Sequence, residues 1–141
     1  MASRIPKEWK EDFVDLMILE TTWKVALFTS LSNCNDDGVY TYTQCALDGH
    51  EVTNGAGTAY TTGGATLAGR VGSAIDTVNW KLDATDVTWT TATIAGIRYA
   101  VVYNAASPYN IRAVYDLLTD YSVTNGTFTL SWNADGLLNV I

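Results

Sequence analysis

From Thr21 onward the chain consists of short runs rich in threonine, tyrosine and valine, separated by glycine, asparagine and aspartate, and this pattern limits its fold more than any other feature. Twenty threonines and eight tyrosines in 141 residues favour pleated, half-buried surfaces, because β-branched and aromatic side chains lose rotamer freedom on a helix and pack well across strands. The runs predict strands at 23–29, 38–47, 74–82, 86–90, 94–104, 110–118, 127–132 and 137–141. So many short strands suit two packed layers. One of them, "RYAVVY", is almost continuously apolar, as a strand covered on both faces requires.

The turn residues fit this reading. Asn125-Gly126 lies between alternating segments and predicts a two-residue hairpin, since both residues tolerate positive φ. "NADG" at 133–136 predicts a turn into the last strand, with Gly136 left-handed. In "AYTTGGATLAGR", residues 59–70, Gly63 and Gly64 predict a bend that launches a strand at Ala65. A bend kept this small and uncharged suits close approach of another backbone, the chain's own or a second subunit's, so Gly64→Val is expected to harm folding or assembly.

Residues 6–20 follow a different rule: Trp9, Phe13, Leu16 and Met17 recur at the spacing of one helical face. Pro6 suits a first turn, and Glu8, Glu11 and Asp12 complement the helix dipole. The expected fold class is therefore all-β, an antiparallel, jelly-roll-like β-sandwich with one N-terminal amphipathic α-helix. Residues 1–22 form a helical arm packed on or extending from the body, and 23–141 form the sandwich, because the arm is too short for a core of its own.

The net charge of −7, with 15 acids against 8 bases, argues against a surface that neutralises phosphates, so no nucleic-acid partner is expected. Half of the bases, Arg4, Lys7, Lys10 and Lys24, fall at the N-terminal end. No secretory leader opens the chain and no apolar run is long enough to span a bilayer, so a protein made in the cytosol with no membrane partner is expected. Only 16% of residues are charged, which suits a chain that hides surface against neighbours. In a reducing compartment Cys34 and Cys45 are expected as free, partly buried thiols, with a disulfide as the alternative.

The residues that carry chemistry do not assemble into a catalytic set. Gly63, Gly64 and Gly69 lack the Lys-Ser/Thr pair of a phosphate loop and the βαβ setting of a dinucleotide site. "NCNDDGVYTYTQ", 33–44, spaces Asn33, Asn35, Asp37, Gly38 and Gln44 like a calcium loop, but its first and last ligands are neutral, which favours a polar loop. Asp83 and Asp86 read as turn residues that bond local N–H groups rather than as paired acids. His50, the only histidine, has no serine elbow, and with Cys45 it makes neither a convincing nucleophile pair nor a zinc site. Trp9, Trp23, Trp80, Trp89 and Trp132 suit core or subunit contact, with Trp80 and Trp89 the first place to look for a sugar platform. No cofactor or metal is expected.

The ordered combination "KVAL", "YTTGGATL", "LDATDVTW" and "RYAVVY", with the closing "NGTFTLSWNADGLLNVI", resembles a group of small structural proteins of tailed-bacteriophage virions. The resemblance covers most of residues 8–141. It implies a particle component without enzymatic activity, in the manner of head decoration or cement proteins that bind the major capsid protein lattice and are commonly homotrimeric. Such a protein is made in the host cytoplasm and ends on the capsid surface. A capsid clamp at Arg4, Lys7, Trp9 and Lys10 fits the concentration of bases there, with Gly63 and Gly64 as further contact positions. The competing readings are a tail or baseplate component, a host-facing carbohydrate-binding module, and, least supported, a hydrolase.

Overall fold

The computed structural model describes residues 7–31, 38–47, 49–53, 59–134 and 136–140, with the backbone only at 7–9, 139 and 140. The fold is all-β, antiparallel and sandwich-like, with a helix near the N-terminus. In chain order the elements are α1 (Lys7–Leu19), β1 (Trp23–Phe28), α2 (Tyr42–Ala46), β2 (Ala65–Leu67), β3 (Val71–Ala74), β4 (Trp80–Asp83), β5 (Val87–Asn104), β6 (Ile111–Leu130) and β7 (Leu138–Val140). One sheet has the order β2-β1-β5-β6 and the other β3-β4-β7.

The central strands account for the apolar runs. In β1, Trp23, Val25 and Leu27 face the main core while Ala26 and Phe28 face a second cluster on the opposite side. The same alternation holds in β5, where Ala100 and Val102 face one way and Val101 and Tyr103 the other. The Ala100–Tyr103 part of "RYAVVY" is thus buried on both faces, the second being covered by Cys45 of α2 and by Leu31, while Arg98 and Tyr99 are half-buried. The main core runs from these strands to Leu82 of β4 and to Val14 and Met17 of α1.

Four expectations are corrected. Segment 38–47 carries α2 instead of a strand: Thr41 Oγ1 accepts the Gln44 N–H (3.3 Å) and Gln44 Oε1 accepts the Thr41 N–H (3.1 Å), a reciprocal cap that starts a helical turn. Segment 74–82 folds back on itself as the β3–β4 hairpin, because the Asp76 carboxylate accepts the N–H groups of Val78 (2.7 Å) and Asn79 (2.9 Å). The segments at 86–90 and 94–104 fuse into the single strand β5, and those at 110–118 and 127–132 into β6. Finally, Asn125-Gly126 makes no hairpin. Asn125 takes φ 46° and Gly126 stays in register with Ala92, so the positive φ produces a bulge within β6.

Other turn readings hold. Gly63 and Gly64 adopt φ 93° and 79° and β2 begins at Ala65. Gly136, at φ 83°, donates its N–H to Asn133 O (3.0 Å) ahead of β7. Cys45 is buried and disulfide-bonded, which corrects the free-thiol expectation for it; Cys34 lies outside the described residues.

Candidate functional site: the outer face of α1 and the groove beside it

The helix is rotated from the face its sequence predicts. Lys10, Val14 and Met17 point inward, whereas Phe13, Leu16 and Leu19 are 53%, 66% and 76% exposed. Gly72 of β3 explains the choice: a Cβ there would lie 2.6 Å from Val14 Cγ1, so the bare glycine is the socket in which Val14 seats. The Lys10 ammonium donates to Val78 O and Asn79 Oδ1, both at 3.0 Å. Lys10 is only 5% exposed and fastens α1 to the β3–β4 turn, which leaves little of it to meet a partner. Arg4, and the side chains of Lys7 and Trp9, lie outside the described residues.

The C-terminal end of α1 is tied down by two distant arginines, Arg70 just ahead of β3 and Arg112 of β6. Arg70 donates to Met17 O (2.9 Å) and Glu20 O, satisfying carbonyls that a helix end leaves unpaired, and lies 4.8 Å above the Trp23 ring. Arg112 of β6 grips the Glu20 carboxylate through Nε (3.0 Å) and Nη2, and Trp23 Nε1 donates to the same carboxylate. The Arg112 hydrogen bond holds the Glu20 carboxyl below its ordinary pKa, against the opposing pull of burial. Beside this pair, Phe13, Leu16, Met17, Glu20 and Arg112 line an open groove of about 310 Å³. An exposed apolar stripe thus lies on a fixed helix next to a paired arginine.

The Gly63-Gly64 bend serves the fold from within. The Glu51 carboxylate accepts hydrogen bonds from Tyr42 Oη (2.5 Å), Tyr60 Oη (2.6 Å) and the Gly63 N–H (2.7 Å). Tyr60 Oη in turn accepts the Leu27 N–H (3.0 Å), and Tyr103 Oη donates to Gly63 O (2.6 Å). Tyr42 and Tyr103 stack with centroids 4.3 Å apart. Gly63 is buried in this network, so the bend packs on its own β1, and one of the two origins considered for the close approach is thereby identified.

Burial pushes the phenols of Tyr42, Tyr60, Tyr103 and Tyr115 up, Tyr103 to about 12. A raised folded-state value means that the stability these groups contribute is complete below the ordinary phenol pKa near ~10 and is lost as pH rises above it. The check is an alkaline titration followed by tyrosinate absorbance. These four should ionise only with cooperative unfolding followed by circular dichroism. Ionisation of these four while the fold persists would refute the assignment.

The remaining candidates have structural tasks. Asp83 Oδ1 accepts the adjacent Ala84 N–H (2.8 Å), a local bond, whereas Asp86 Oδ1 accepts the N–H of the distant Trp132 (3.1 Å) and ties the start of β5 to the segment after β6, which corrects the local-turn reading for Asp86. Gln44 belongs to the α2 cap; Asn33, Asn35 and Asp37 lie outside the described residues. Among the described residues no three His, Cys, Asp or Glu side chains gather in a metal-binding group, and no helix is long and apolar enough to cross a membrane. The backbone carbonyl of His50 accepts the Thr29 N–H (2.9 Å). Trp89 is 4% exposed between Tyr60 and Phe128, so it forms no open platform with Trp80. A second groove, about 420 Å³, is lined by Thr29, Thr53, Thr93, Ser122 and Thr124 together with Val52 and Ile94.

Sequence reasoning missed the Glu51 network and the two arginines that anchor α1, because their partners lie far apart in the chain. Comparison with family models, curated proteins and solved structures gave no match to this chain.

Proposed function

We propose that the chain is a structural component of a tailed-bacteriophage virion, acting on the head as a decoration protein that binds the major capsid protein lattice. The motifs "KVAL", "YTTGGATL", "LDATDVTW" and "RYAVVY" support the virion reading. The observation that carries a contact role is the outer face of α1, where Phe13, Leu16 and Leu19 stand in solvent on a helix whose other side is locked into the core. Repeated over a symmetric shell, a modest apolar contact of this kind gains strength by avidity.

Because Val14 and Met17 belong to the core, removing the helix would damage the fold, so point variants are the sharper test. Leu16→Glu is expected to leave thermal stability nearly unchanged and to lower occupancy on heads about tenfold or more, the scale of losing one buried leucine. Undiminished loading, or copies located on the tail in a particle reconstruction, would overturn the head assignment. The groove lined by threonines and Ser122 favours a second reading, a carbohydrate-binding module. Saturable glycan binding that is lost in Thr93→Val would support that reading instead.

A further inference from the structure

We infer that the outer edge of β6 pairs antiparallel with the same strand of a second copy of this chain. β6 is 20 residues long and is the last strand of its sheet. The other strands at the margins of the two sheets, β2, β3 and β7, have three, four and three residues. β5 occupies one edge of β6. Among the described residues, no backbone–backbone bond reaches the other edge beyond Ile111, whose N–H donates to Tyr40 O.

Exposed edges are normally guarded by charge or by bulges. The middle of β6 is guarded in both ways: residues 117–120 bulge out of register between Asp116 and Tyr121, and Arg98 pairs there with Asp116 and Asp120. The distal part is not. From Tyr121 to Leu130, and on the facing stretch of β5 from Val87 to Ile97, no side chain carries a charge. Gly126–Leu130 follows the bulge at Asn125, and within it Thr127 and Thr129 are exposed.

The occupant follows from charge and symmetry. A chain of net charge −7 repels its own copies, and least where no charge lies. The distal edge offers backbone donors and acceptors plus threonine hydroxyls, and the groove that touches Ser122, Val123 and Thr124 is not lined by any residue of 126–130. A twofold axis lets such a strand satisfy itself, every outward N–H meeting a C=O of its copy. This pairing does not depend on where in a particle the chain sits.

The test is the solution mass of the full chain, measured by sedimentation equilibrium over a range of concentrations. A dimer is expected. Thr127→Lys with Thr129→Lys, which sets like charges across the twofold pairing, is expected to weaken it about tenfold or more at unchanged melting temperature. Amide exchange supplies an independent reading: protection at 121–130 should increase with concentration. A wild-type monomer, a trimer, or a double variant that dimerises as tightly as wild type would each overturn the pairing. Dissociation by Leu16→Glu but not by the lysine variant would also overturn it, and would move the interface to α1.

Discussion

A chain carrying alanine or valine at position 64 is expected not to reach the native fold. A Cβ on Gly64 would lie 1.8 Å from Val25 O, 2.5 Å from Val25 C and 2.8 Å from Ala26 Cα. The obstructing atoms are the backbone of β1, the strand held between β2 and β5, so no side chain can rotate away to make room. At φ +79° the residue also needs a conformation that L side chains resist. The expected loss exceeds about 4 kcal/mol, a large part of the 5–15 kcal/mol that holds a typical domain. Gly49→Ala separates the two causes. Gly49 has φ +69° but nothing within 4 Å of its would-be Cβ, so its substitution should cost only about 1–2 kcal/mol. Soluble expression and urea midpoints of the two variants provide the comparison, and a Gly64→Ala chain as stable as Gly49→Ala would refute the argument.

The legible parts of the fold were those fixed by local rules. Two-sided burial of the Ala100–Tyr103 part of "RYAVVY" follows from its composition, and the bend at Gly63-Gly64 from its glycines. Asn125-Gly126 carried a true backbone signal, positive φ, but a bulge and a hairpin share it, and only the pairing of β5 with β6 decides between them. The α2 cap was visible in Thr41 and Gln44, where the alternation of "VYTYT" concealed it. The face of α1 could be read locally only in part, Met17 being buried as its spacing predicts. Apolar spacing favoured Phe13 and Leu16, whereas the socket at Gly72 and the acceptors at Val78 and Asn79, some seventy residues away, selected Val14 and Lys10. The exposed apolar face of the candidate site is the remainder of that selection.

The Glu51 network leads to the second large effect. Glu51→Ala leaves the phenols of Tyr42 and Tyr60 and the Gly63 N–H without their common acceptor. A buried donor deprived of its partner costs about 1–3 kcal/mol, and the half-exposed setting of Tyr42 lowers its share, so a total near 3–4 kcal/mol is expected. Tyr60 is fully buried and cannot turn to water, and its oxygen must keep accepting the Leu27 N–H. Glu51→Gln retains one acceptor oxygen but turns an amide donor toward donors, and should lose about 1–2 kcal/mol. Tyr60→Phe should lose a similar amount through the stranded Leu27 N–H. Because these groups share one network, Glu51→Ala combined with Tyr60→Phe should cost less than the two separate losses together. Urea unfolding of the four chains measures this, with an unchanged slope indicating that the midpoints report stability. Strict additivity would mean that Glu51 and Tyr60 act independently, and that the carboxylate does not bind the 60–64 bend to β1.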